Sequence, residues 1–300
     1  MAKPLSSTVD KGVANSGALV SAFARQIVPI APILVLIVVF LIWPIVNVAA
    51  KAFEDNNGNF TLDNFVVASQ GVYAQAFGNS ISLGIYSALL ASIPGAAFAY
   101  IIESRGSEFL KRIINSATSV LAISGGVPLA FMFIAAFGVE GSATVLLKFI
   151  GLDLYASGFT LFSYWGLVLV YCFFQIPIMV LVFSPAVQAL RKEWTEAARS
   201  LGASKWQYWR HVGIPLLFPS FSASFLLLFA SAFSAYATAR AMTVGTIALV
   251  PLMIGTLVDG NVIVDQFNLG KALAIGMVLV TAVAMVPYLL IQRRVARWQK

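Results

Sequence analysis

Seven charged side chains lie between Arg191 and Arg210 in a chain that is otherwise apolar: Arg191, Lys192, Glu193, Glu196, Arg199, Lys205 and Arg210. Lipid does not solvate such a cluster, so the segment sits in water, and its surplus of Lys and Arg places that water on the cytoplasmic side. The chemistry on offer is docking and ion pairing rather than bond breaking. His211 is the single histidine and Cys172 the single cysteine, which leaves no Ser-His pair, disulfide framework or histidine metal site in this chain. A phosphate-cradling loop needs a glycine five positions ahead of a Gly-Lys-Ser/Thr triplet. Gly270-Lys271 is followed by Ala272, and Asp265 stands where that glycine belongs.

Within the cluster the residues spell two short helices. Arg191 to Leu201 is built from good helix formers, with Glu196 and Arg199 spaced three apart to face each other. Gly202 occupies the place where a helix commonly ends in the left-handed conformation. Ser204-Lys205-Trp206-Gln207 reads as a capping box that starts a second helix. Ala197, Ala198 and Ala203 keep one surface small enough to enter another protein's groove. Pro215 and Pro219 mark the expected return of the chain to the bilayer.

The elements that position this elbow are membrane spans. The chain is 60% hydrophobic and 10% charged, far from the usage of a soluble domain. Residues 1–26 read as a polar N-terminal segment. Residues 27–50 form a first span, long enough to cross and without an obvious cleavage site. An external loop, 51–76, leads to a core of five further spans over 77–292, with the elbow at 191–213 and a basic tail at 293–300. Expected spans run from about 77 to 102, 113 to 137, 160 to 187, 214 to 238 and 269 to 291. The third is interrupted at Ser124–Pro128 and the fourth at Gln175–Pro177, where proline removes a backbone bond. A short external helix is expected near 145–150. The apolar piece Thr246 to Leu257 is too short to cross and suits a re-entrant or interfacial helix. With both termini inside, only Lys51, Lys148, Arg240 and Lys271 of the 19 Lys and Arg fall outside. The net charge of +7 follows from those membrane flanks and not from a nucleic-acid surface.

Glu196-Ala197-Ala198, Gly202, Trp206-Gln207 and Ile214-Pro215 together resemble the EAA motif of binding-protein-dependent ABC importer permeases. The resemblance implies an all-α polytopic protein of the bacterial inner membrane, with the architecture of type I importers. It implies that this elbow is a coupling helix seated in a cleft of a cytoplasmic ATPase. Glu196 and Gly202 would be the docking centre, joined by Ala197, Ala198, Ala203, Trp206, Ile214 and Pro215. Leu201 departs from the pattern, since many members carry Asp there. The implied partners are two ATPase subunits, a second permease (homologous or identical) and an extracytoplasmic binding protein, alongside membrane lipid. ATP and Mg would be held by the ATPase, and no cofactor by this chain.

Polar residues within spans are costly unless they face protein or a water-filled path. Asn79, Tyr100, Gln175, Ser231, Ser234, Tyr236 and Arg240 are therefore candidates to line a translocation path, with interhelical hydrogen bonding as the alternative for the serines. No carboxylate lies deep in any span, so a proton relay is missing. Leu249–Gly255 and Leu269–Ala274 look similar to spermidine/putrescine-type permeases, which implies a small polar solute such as a polyamine. Related permeases for sugar, glycerol phosphate, phosphonate or iron are the alternatives within the family. A passive channel and an intramembrane enzyme are the alternatives outside it.

Overall fold

The structure, a computed structural model, describes residues 31–298 except positions 56, 157, 244 and 260–266. The expected segment 1–26 and the start of the first span lie outside the described residues. Two helices form the axis of the bundle, α3 (Gly71–Arg105) and α7 (Tyr164–Gln188). Lipid tails are as apolar as leucine, so helices in a bilayer associate through close packing of small residues. On α3, Ala88, Ala91 and Ala99 are completely buried and cluster with Met179, Val180 and Phe183 of α7. Gly95 closes the approach: a Cβ placed there would stand 2.6 Å from that of Met179.

Around this pair stand α1 (Ala31–Ala52), α4 (Glu108–Ile123), α5 (Val127–Phe137), α9 (Lys205–Ser234) and α12 (Phe267–Trp298). Six helical stretches are long and apolar enough to cross a membrane. Shorter pieces connect them: α2 (Asp63–Ala68), α6 (Ser142–Phe149), α8 (Lys192–Ser200), α10 (Ala237–Thr243) and α11 (Val250–Val258). The expected helix near 145–150 is thus α6, a turn earlier. The outer loop after α1 is clamped to α12, because the Asn268 amide donates to the carbonyls of Glu54 and Asp55. Within that loop Asp55 Oδ1 accepts from the backbone N–H groups of Asn57 and Asn59, each at 2.8 Å. These bonds, the Asn59 N–H foremost, hold the Asp55 carboxyl below its ordinary range.

Several expectations are corrected. α7 runs unbroken through both Pro177 and Pro185; Pro177 is buried, and helices packed in a membrane bundle tolerate the loss of the backbone bond that proline removes. Pro215 and Pro219 do not mark a turn. α9 starts four residues after Leu201 and passes both prolines before ending at Ser234, short of the expected Thr238. Glu196 and Arg199 are both exposed and form no ion pair among the described residues, since solvated charges gain little from pairing. The helix of α12 continues through the expected tail to Trp298.

The third crossing is divided as expected, into α4 and α5 around Ser124–Gly126. Gly126 has φ +89°, a conformation that non-glycine residues resist. A Cβ on the adjacent Gly125 would meet Phe174 at 4.0 Å, and Phe174 lies close to the middle of α7. The break therefore faces the middle of α7. The apolar piece after α9 forms α11, which does not cross. Its start is pinned to α3, with Ser80 Oγ accepting from Val250 N–H at 2.9 Å and Asn79 donating to the Ala248 carbonyl at 3.0 Å.

Candidate functional site

At the inner end of α7 the elbow stands clear of the bundle. The last turn of α8 closes with the Ala203 N–H donating to Ala198 O and the Gly202 N–H to Arg199 O, both at 2.9 Å. This paired pattern requires a left-handed residue, and Gly202 supplies it with φ +78°. Ser204 then caps α9 by accepting from Gln207 N–H, while the Gln207 side chain accepts from Ser204 N–H. Both features follow the sequence expectation. Glu196 and Ala197 are exposed, and Ala198 and Ala203 are half-buried. Trp206 is 68% exposed and Leu201 88%, so the tip offers an apolar surface flanked by charge. Sequence reasoning treated Leu201 only as a departure; its signal was a large apolar residue inside a charged water-exposed turn. Ile214 and Pro215 are exposed further along α9.

The elbow is mechanically tied to the bundle. Residues Trp209–Gly213 form a π-turn within α9, a local widening often found at functional sites. Gly213 leaves room for the Trp209 ring, which a Cβ would meet at 2.6 Å. That ring stands edge-on to Tyr100 of α3 at 4.9 Å. At the other end of the elbow, Gln188 donates to Glu103 at 3.0 Å. Glu103 is 4% exposed and paired to Lys111 at 3.3 Å, so α3, α4 and α7 share one polar knot beside the elbow.

Further along the bundle, beside α7, two chain breaks meet. The Gly126 N–H, left free where α4 ends, donates to Thr238 Oγ1 at 3.0 Å. Tyr171 of α7 donates its hydroxyl to Ala235 O at 3.1 Å, in the break between α9 and α10. Broken helices within a membrane bundle are a usual setting of transport sites. Sequence reasoning missed the Thr238 lock, for which a threonine one helix away from a Gly-Gly pair gives no local signal. Thr238→Val removes the acceptor from a half-buried N–H, which costs about 1 kcal/mol or more. The purified protein is expected to melt several degrees lower, and Thr238→Ser to restore the wild-type melt.

The candidate path residues separate. Gln175 has no exposed surface; its amide donates to Ser87 Oγ at 3.0 Å, joining α7 to α3 inside the chain. Asn79 is half-buried and pins α11, and Tyr100 is half-buried beneath the elbow. Ser231 is half-buried, while Ser234, Tyr236 and Arg240 are exposed around the second break. Arg240, expected both outside the spans and as a path candidate, lies on α10, beyond the candidate span that ends at Ser234 and two residues from the Thr238 lock.

Six helices are long and apolar enough to cross a membrane, one crossing is broken around Ser124–Gly126, and an exposed, charged elbow stands at one end of the bundle, the build of a polytopic membrane protein. A family model described as "binding-protein-dependent transport system inner membrane component" matches residues 91–300, and the chain belongs to that family. It is the permease component of an ABC importer. A probable sulfate transport system permease of Chlorella vulgaris is 27% identical over 168 residues, covering 55% of this chain and 59% of the relative. A spermidine/putrescine transport system permease of Haemophilus influenzae is 24% identical, covering 88% and 92%. The solved structure of a bacterial alginate ABC transporter, in complex with a pentasaccharide-bound periplasmic protein, matches at TM-score 0.71 and 16% identity. It covers 92% of this chain and 96% of that one, a likeness of fold alone.

Proposed function

We propose that this chain forms one half of a translocation path in the bacterial inner membrane and works by alternating access. A homologous or identical permease forms the other half. Two cytoplasmic ATPase subunits, which hold ATP and Mg, grip the elbow through Glu196, Ala197, Ala198, Gly202, Ala203 and Trp206. Their closure passes through the π-turn of α9, with Ile214 and Pro215, to the break at Ala235. A loaded binding protein docks on the outer loops. The carrying observation is the exposed, glycine-hinged elbow that continues into the helix ending at the Ala235 break.

The solute is a small polar molecule. A polyamine is one reading, supported by the resemblance of Leu249–Gly255 and by the spermidine/putrescine relative. Sugar, glycerol phosphate, phosphonate and iron are the others that the family supports. A test is purification of the tagged protein from its native membrane in mild detergent, followed by identification of what accompanies it. The expected result is a Walker-type ATPase together with an extracytoplasmic binding protein. Absence of the ATPase in both detergent and lipid nanodiscs, with passive flux in empty liposomes, would turn the assignment to a channel.

A further inference from the structure

α7 ends at Gln188 and the π-turn of α9 opens at Trp209, and α3 holds both points. Gln188 donates to Glu103 at 3.0 Å, and the Trp209 ring stands edge-on to Tyr100 at 4.9 Å. Tyr100 and Glu103 are three apart, so they share one face of α3. Neither grip is loose. The Glu103 side chain is 4% exposed and paired to Lys111 at 3.3 Å. The Trp209 ring is seated against Gly213, where a Cβ would meet it at 2.6 Å. Both rings pack against the buried cluster that contains Val187 and Leu217.

The other end of α3 holds α11. Ser80 Oγ accepts from Val250 N–H at 2.9 Å, and Asn79 donates to Ala248 O at 3.0 Å. Ala76, a turn earlier, is completely buried in one cluster with Val250 and Leu257. Between Ser80 and Glu103 lie about 35 Å of helix, uninterrupted, Pro94 included. α9 reaches α11 separately. Tyr236, just past the break that ends α9, sets its ring against Gly255, where a Cβ would stand 2.8 Å from it. The nine-residue α11 is thus held at its start by α3 and further along by the segment that continues α9. Both holders begin at the elbow. Packed helices pass a displacement on as rigid elements, so an elbow that shifts α9 against α3 displaces the short helix fastened to both.

We propose that α3 is a second coupling rod beside α9, loaded by the elbow through the positioning residues Tyr100 and Glu103, and that α11 is the outer element the two helices drive together. This rests on the permease reading above and extends it from the break at Ala235 to the outer side of the bundle.

The test uses the assembled complex with its ATPase, in lipid nanodiscs, with Cys172→Ser throughout. A spin label is attached at Val258→Cys, an exposed position at the end of α11, and in a separate variant at Ser234→Cys, exposed at the end of α9. Spectra are compared without nucleotide and with the ATPase trapped by ATP and vanadate, and both labels are expected to change between the two states. With Tyr100→Leu added, the Val258 label is expected to lose its change while the Ser234 label keeps it. Uptake per ATP hydrolysed is expected to fall about fivefold, the factor that one edge-on aromatic pair carries. Tyr100→Phe keeps the ring and is expected to restore both readouts. Gln188→Ala removes the other grip at an exposed position; it is expected to reduce the Val258 change too, and it decides the matter if Tyr100→Leu does not fold. A Val258 label that ignores nucleotide, or that responds fully in these variants, overturns the rod. Loss of response at both labels overturns it as well, because the contact then serves only the docking of the elbow. Each of these failures with the ATPase still on the complex leaves the permease reading intact, whereas absence of the ATPase removes that reading itself.

Discussion

Gly202→Val is expected to lower ATP-driven uptake by tenfold or more while the chain still inserts into the membrane. The cause lies in the backbone. Gly202 holds φ +78° with nothing within 4 Å of an added Cβ, so the substitution meets no obstacle in this chain. A β-branched residue there costs about 1–3 kcal/mol of strain. The hinge relaxes, and α8 meets the ATPase at a different angle. Loss of one central docking residue typically weakens an interface by about 2 kcal/mol or more, so Glu196→Ala is expected to act in the same direction from the contact side. Uptake, binding-protein-stimulated ATP hydrolysis and retention of the ATPase on the purified membrane subunit are the readouts. Gly202→Asn separates the two causes, because Asn tolerates the left-handed region yet adds bulk. Uptake preserved in Gly202→Asn assigns the loss in valine to backbone strain; uptake lost in both assigns it to a groove that admits no side chain. Wild-type uptake in both Glu196→Ala and Gly202→Val would sink the coupling assignment.

The elbow was legible because its signals are local. Capping residues, a C-terminal glycine and a change from apolar to charged side chains all act within a few positions, and the structure reproduces the helix end at Gly202 and the box at Ser204–Gln207. The break at Ser124–Gly126 was legible for the same reason. The prolines misled. Pro177 lies buried in an unbroken α7, where packing decides otherwise, and the exposed Pro215 follows directly on the π-turn Trp209–Gly213, a local widening in which the i→i−4 ladder is already altered. What joins distant segments was not legible at all. The Gly126–Thr238 bond spans 112 positions and the Asn79–Ala248 bond 169. A polar residue in a span shows that a partner exists, not which one. Gln175 illustrates the ambiguity: the same amide serves an open path or a closed helix contact, and only its complete burial against Ser87 distinguishes them here. The fifth span was expected to end at Thr238 and ends at Ser234, so Arg240 does lie beyond it, but on the short helix α10, which no local signal announced.

Gly95→Leu is expected to deplete folded protein from the membrane, and Gly95→Ala to do so in part. A Cβ at this position stands 2.6 Å from Met179 Cβ, 2.8 Å from Met179 Cγ and 3.1 Å from Ile176 O. The first and last of these are not flexible chain ends, so α3 must move off α7 or α7 must bend. Overpacking of this kind costs about 1–3 kcal/mol for a small side chain, and leucine adds three more carbons to the same gap. Displacement at Gly95 also reaches the elbow, since Tyr100 against Trp209 and Glu103 against Gln188 both lie further along α3. Gly78 provides the internal control. It lies in the same helix with nothing within 4 Å of an added Cβ, so Gly78→Ala is expected to be neutral or stabilising by about 0.5–1 kcal/mol through helix propensity. Thermal melts of the detergent-solubilised protein compare the three. Met179→Gly alone opens a cavity and destabilises, yet it removes both the Cβ and the Cγ that Gly95→Ala would meet, so the double variant is expected to recover part of the loss, a non-additivity that marks direct contact. Additive losses in the double variant would mean that the two helices are not held at this point, and the axis on which the elbow swings would then have to be placed elsewhere along α3.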